Sequence, residues 1–177
     1  GWVAIYIRSS GISQNRPSES VFRTMAAGLK YVKSNQLLWA TLLLILIVES
    51  SGWTFHTTVV PIFARNELGT DSTGLGVMLF AFGLGAVVAS LFWAMFSELR
   101  HVGKSMIASV IVWHASILVF ATSQPFFLSM TILAVTGAGF ASTQVFMLSS
   151  LLGNSRPEFR GRVMSLRSLA IYAFALG

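Results

Sequence analysis

The chain has 177 residues, 54% of them hydrophobic and 10% charged, with 14 Phe, 5 Trp and a mean hydropathy of +0.72. A soluble domain needs far more polar residues to cover its surface, so composition alone sets this chain in a membrane. The net charge of +6 sits in basic residues between apolar runs, where it sets orientation and implies no nucleic-acid partner, and the absence of Cys excludes disulfides and thiolate metal sites.

Gly1 to Ile7 (GWVAIYI) is too short to span and reads as the end of a preceding helix. There is no initiating Met, and the sequence stops inside an apolar run, so we expect a piece of a longer protein. Arg8 to Pro17 is polar, with Gly, Asn and Pro, a loop by composition. From Ser18, a capping residue, Val21, Phe22, Met25, Leu29 and Val32 recur at helical spacing, with Arg23, Lys30 and Lys33 off the stripe. A basic amphipathic helix beside a span either lies on anionic headgroups or packs on protein; both stay open here. Residues 1–36 thus form a cytoplasmic unit, and 37–177 a transmembrane bundle.

The first complete span is expected over 37–63 and ends at Pro61 and the residues just after it. It exceeds the roughly 20 apolar residues that cross about 30 Å of hydrocarbon. It carries one carboxyl, Glu49, near its middle, and a charge there costs about 2.5–3.5 kcal/mol on insertion scales. Intramembrane carboxyls face a bundle interior or a water-filled cavity, which makes Glu49 a candidate functional group. Arg65 to Thr73 is a short polar loop. The second span, 74–97, is uncharged and places Gly83, Gly85, Ala86, Ala89, Ser90 and Ala94 so that two faces carry small residues four apart. In lipid such faces let backbones approach, so this helix is expected to touch neighbours on more than one side.

After Glu98 to Lys104 no charge occurs from Ser105 to Ser155, room for two spans and a turn. Thr122 to Pro125 is the breaker, giving spans of about 104–121 and 126–152. Gly153 to Arg162 is a basic loop, and 163–177 opens a further span. With four complete spans, 11 of the 12 basic residues fall on one side and Arg65 alone on the other. That asymmetry is the positive-inside pattern. The fold class is all-α, a polytopic transmembrane helix bundle.

Glu49, Trp53 and His56 stand at i, i+4 and i+7, an arc of about 60° on an α-helix. A carboxyl in this position can bind and release a proton if water reaches it on alternate sides, and His56 can relay; the structural alternative is a permanently protonated hydrogen-bond donor. On the fourth span Thr136, Phe140, Thr143, Gln144 and Met147 share a face, suited to a cavity wall or to polar cross-helix packing. His114 has no evident partner and reads as structural. Signatures of membrane-embedded enzymes are absent: no HExxH, no GxSxG, no phosphate loop and no second intramembrane carboxyl to pair with Glu49.

The order of a basic helix (GLKYVKSN), a span with a polar centre, PIFARNELG, a Gly-rich span (GLGVMLFAFGLGAVVAS), a GAGF-bearing span and RPEFRGRVMSL resembles the C-terminal half of a major facilitator superfamily exporter. More narrowly it is similar to the enterobactin-exporter and macrolide-efflux branch. The resemblance implies twelve helices in two halves, with a small-molecule substrate bound between them, the N-terminal half of the same transporter as partner, and the bacterial cytoplasmic (inner) membrane as location, with no cofactor. It makes the first and fourth complete spans helices seven and ten, which line the cavity, so Glu49, Trp53, His56, Thr136, Phe140, Thr143 and Gln144 become candidate substrate and proton-path residues. It also implies gating by the cytoplasmic loops through Glu98, Arg100, Lys104, Arg160 and Arg162. In SELRHVGK, however, Glu98 keeps the acid while Leu99 and His101 replace the usual Arg and Gly. Two functions follow: proton-coupled efflux of small, partly apolar molecules, or a non-transporting membrane scaffold that keeps the fold.

Overall fold

The structure is a computed structural model that describes residues 21–96 and 101–172. The linker 1–20, with Arg8 and Ser18, and the loop residues Glu98 and Arg100 lie outside the described residues, as does the end of the last span. Among those described every regular element is helical: α1 (Val21–Ser34), α2 (Gln36–Thr54), a π-helical segment (Phe55–Val59), α3 (Val60–Asn66), α4 (Ser72–Ala94), α5 (Val102–Phe120), α6 (Phe126–Asn154), a 3₁₀ turn (Pro157–Phe159) and α7 (Arg160–Tyr172). Four stretches are long and apolar enough to cross a membrane: Gln36–Asn66, Ser72–Ala94, Val102–Phe120 and Phe126–Asn154. These are the four expected spans.

Helix α1 packs on protein. Val32 is fully buried, and a Cβ on Gly28 would lie 3.1 Å from the Cβ of Arg162, so α1 rests directly on α7. Tyr31 stacks on Phe159 with centroids 4.0 Å apart, and its hydroxyl accepts the Arg156 N–H at 3.0 Å. Leu29, expected on the apolar stripe, is 38% exposed beside exposed Lys30 and Lys33, because the buried face is centred on Gly28, Tyr31 and Val32. Asn35 then starts α2 by accepting from the N–H groups of Leu37 (3.1 Å) and Leu38 (3.3 Å), which satisfies donors that a helix start leaves unpaired.

The first span does not stop at Pro61. Proline has no N–H and clashes with the carbonyl four residues back, yet the chain runs on as helix to Asn66. The π segment just before it absorbs the conflict: Val60 N–H bonds to Phe55 O, five residues back, and the widened turn makes room for the ring. The helix ends where Gly69 takes φ +58° and Thr70 N–H returns to Ala64 O at 3.0 Å. Asp71 caps α4 by accepting from Gly74 N–H at 2.9 Å.

Helix α6 is the centre of the bundle. A Cβ on Gly85 would sit 1.9 Å from Ala134 O, and one on Gly137 would sit 2.0 Å from Phe82 O, so α4 and α6 touch backbone to backbone. On the other side Gly139 meets the backbone of Trp113 at 3.0 Å, which seats α5. Helix α4 touches two neighbours, α6 and the first span, the latter through α3 and the ring contact of His56 with Phe82. Its contacts run chiefly to α6, with a short one to α3, while Ser90, Leu84, Val87 and Leu91 are exposed and nothing lies within 4 Å of a Cβ on Gly83. Both small-residue faces meet α6, at Gly85 and at Ala86, and the second of them becomes exposed farther along, at Ser90 and Ala94.

Two apolar clusters form. One lies toward the basic end, around Val32, Leu42, Ile45, Phe146, Leu151 and Val163; the other lies toward the opposite end, around Phe55, Val60, Met78, Phe120 and Leu133. The Tyr31 bond to Arg156 sets Lys30 and Lys33 beside the 156–162 loop, in line with the charge-based orientation.

Candidate functional site

Between these clusters lies a polar bridge. Glu49, near the middle of the first span, is 7% exposed. Its Oε1 accepts from Gln144 Nε2 of α6, and Gln144 Oε1 accepts from Arg167 Nη2 of α7 at 2.9 Å. Three helices are thus joined by one carboxyl, one amide and one guanidinium. Of these, Glu49 and Gln144 are legible as candidates from the sequence. Arg167 is not counted among them, because it reads as the last basic residue of a loop. Yet it falls inside the run 163–177, and a charge within a span calls for a partner in the bundle.

The π segment also alters the expected stripe. It begins at Phe55, so the α-helical spacing that aligns His56 with Glu49 does not carry across it. The His56 ring instead lies edge-on to Phe82 of α4, centroids 4.3 Å apart, and near Phe140 of α6 at 6.1 Å. Its Nε2 is buried without a hydrogen-bond partner among the described residues. The side chain of Trp53 lies outside the described residues; its backbone belongs to α2, one turn beyond Glu49.

On α6 the polar residues divide by face. Thr136 and Thr143 are fully buried and donate to their own helix, at Ile132 O and Gly139 O, both 2.8 Å; Thr143 Oγ1 also lies 3.2 Å from Ser109 Oγ of α5. Thr143 thus ties α6 to α5, while Thr136 is buried and bonded only within its own helix. Phe140 and Gln144 are half-buried instead, Phe140 meeting His56, Phe82 (5.7 Å) and Trp113 (5.1 Å). A groove of about 360 Å³ between α4 and α5, lined by Trp93, Ser109, Val135 and Ser142 among others, includes none of the residues expected to meet substrate.

His114 gains partners that its sequence context does not show. Its Nδ1 lies 2.9 Å from Val110 O, which only accepts, so Nδ1 carries a proton; its Nε2 lies 2.8 Å from Ser51 Oγ and ties α5 to α2. Fully buried Trp113 completes that contact over Gly52, where a Cβ would fall 2.6 Å from the indole ring. Of the described loop residues, Lys104 and Arg160 are exposed, whereas Arg162 is half-buried with its guanidinium 5.3 Å from the Phe159 ring, part of the contact that holds α1.

The family described as transmembrane secretion effector, of the major facilitator superfamily, matches residues 2–177. The chain belongs to that family. Its membership makes the chain a multi-pass membrane protein of transporter type, concerned with efflux in general terms. No curated protein and no solved structure matches the chain.

Proposed function

We propose that this chain is the C-terminal half of a proton-coupled exporter of the branch that resembles enterobactin exporters and macrolide-efflux proteins. It acts without an enzymatic step and exports small, partly apolar molecules across the bacterial inner membrane. The observation that carries this reading is the Glu49–Gln144–Arg167 bridge. An ionised Glu49 accepts a charge-assisted bond from Gln144, roughly twice as strong as a neutral one. A proton on Glu49 removes that charge and weakens the tie between α2 and the α6–α7 pair. Two arrangements of the helices then differ in their affinity for a proton, which is the differential needed for a proton to shift the population between them. Alternating access by rocking of one half against the other converts that shift into transport. The test is efflux from vesicles holding the full-length protein, measured against pH for the wild type and for Glu49→Gln. The neutral amide keeps the helix inserted and abolishes the pH dependence.

A further inference from the structure

The Gln144 amide is held at both ends. Its NH₂ donates to Glu49 and its carbonyl accepts from Arg167 Nη2 at 2.9 Å; the reverse orientation would set the carbonyl against a carboxyl oxygen and the NH₂ against a guanidinium. The amide is therefore a neutral dipole lying between one acid and one base. Glu49 is the sole carboxyl in the described spans.

The bridge is incomplete on the arginine side. Arg167 Nε is buried and has no hydrogen-bond partner among the described residues. Nε–H and Nη2–H form one edge of the guanidinium, and the single amide oxygen of Gln144 takes only one of the two. A carboxylate has two oxygens spaced to take both. A buried charged donor left unpaired is unfavourable, so this edge favours a better acceptor than the one it holds. On the acid side an ammonium group would bring a full positive charge where the amide brings only a partial one.

We infer that the bridge is a cargo subsite in which the Gln144 amide holds the place of a zwitterionic group, whose ammonium goes to Glu49 and whose carboxylate goes to the Nε–Nη2 edge of Arg167. The inference rests on the reading of this region as the transport site. A singly charged cargo would displace the amide yet leave one charge of the pair uncompensated in a low-dielectric bundle. The apolar body of the cargo lies toward Phe140, one turn from Gln144 on α6, with the rings of His56 and Phe82 beside it. The ammonium competes with the proton for Glu49, as an exchange of proton for cargo requires. Besides His56 on the same span, the charged or titratable groups around Glu49 are Arg167, reached through Gln144, and His114 of α5, bonded to Ser51; α6 brings none.

Three dyes with one fluorophore test this: Nε-dansyl-lysine (zwitterion), dansyl-glycine (anion) and dansylcadaverine (cation). Each is titrated onto the full-length protein in lipid nanodiscs without a proton gradient. The wild type is expected to bind Nε-dansyl-lysine about 10-fold more tightly than either singly charged dye, the scale of one hydrogen-bonded charge. Arg167→Gln removes the advantage over dansylcadaverine, and Glu49→Gln the advantage over dansyl-glycine. Arg167→Lys, which keeps the charge without the fork, falls between wild type and Arg167→Gln. Gln144→Ala, which removes the placeholder, keeps Nε-dansyl-lysine bound; its loss for that dye alone overturns the inference. A wild type that does not prefer the zwitterion overturns it too, as does an equal drop for all three dyes in Arg167→Gln and Glu49→Gln. An unchanged pH profile of efflux in Glu49→Gln removes the coupling role and leaves this binding result standing.

Discussion

Helix α6 has two kinds of seam. Toward α4 and α5 it meets its neighbours through Gly85, Gly137 and Gly139, backbone on backbone, with Thr136 and Thr143 bonded back to their own carbonyls. Toward α2 and α7 it meets them through the side chains of Glu49, Gln144 and Arg167. The first seam derives its stability from close approach and has no slack; the second is made of long side chains whose bonds depend on charge. In a transporter the first suits a body that moves as one piece, and the second a joint between pieces.

Substitutions can break each seam separately. The largest effect is expected from Gly85→Leu, because its Cβ would fall on Ala134 O. Overpacking of this kind costs typically about 1–3 kcal/mol, and the upper end or beyond applies where backbone meets backbone. The yield and melting temperature of the full-length protein in detergent should both drop sharply; a normal melt would show that α4 and α6 can part without loss. Next comes Gln144→Leu, which leaves Glu49 and Arg167 without their bridge and should cost about 2 kcal/mol, the scale of hydrogen bonds to charged groups. The expected signature is normal insertion with a lowered melt, and an unshifted melt would mean that the charged seam contributes nothing to stability.

Two smaller effects bound the comparison from outside the seams. His101 has φ +56°, a left-handed conformation that costs a non-glycine residue roughly 1–2 kcal/mol. His101→Gly should therefore raise thermal stability by about 1 kcal/mol or less, after the entropy that glycine adds to the unfolded chain. A lower melt would mean that the His101 side chain makes a stabilising contact. Smallest is Ser90→Leu, on a face of α4 that no described residue covers; its effect should stay within about 0.5 kcal/mol, the usual range for surface substitutions, whereas Ala86→Leu, beside Gly137, should be clearly destabilising. Equal melts for the two would erase the difference between the packed Ala86 and the exposed Ser90.

Much of this architecture is legible in the sequence, because most span boundaries follow from one physical signal. Charge-free runs give the helices, the breaker at Thr122 to Pro125 separates two of them, and the basic residues give the orientation, whereas the caps Asn35 and Asp71 emerge only in the structure. Pro61 misleads, since reading it as a stop assumes a regular α-helix, and the π segment at Phe55–Val59 removes that assumption. Glu49 and Gln144 can be singled out separately by depth and polarity. Their pairing cannot, because it joins residues 95 positions apart. Arg167 is missed for a different reason: the positive-inside count treats every arginine near a loop as a marker of sidedness, while this one turns into the bundle. The same blindness hides the Ser51–His114 link and the Tyr31 contact with Arg156, both made between distant parts of the chain.

The most direct test of the central claim, that the charged seam is the proton-sensitive joint, is the pH profile of efflux for Glu49→Gln in vesicles containing the full-length protein, with membrane levels matched to wild type. We expect wild-type efflux to vary with pH and Glu49→Gln efflux to be flat across the same range. A Glu49→Gln profile that overlays the wild type would contradict the claim and leave Glu49 as a permanently protonated hydrogen-bond donor that glutamine replaces.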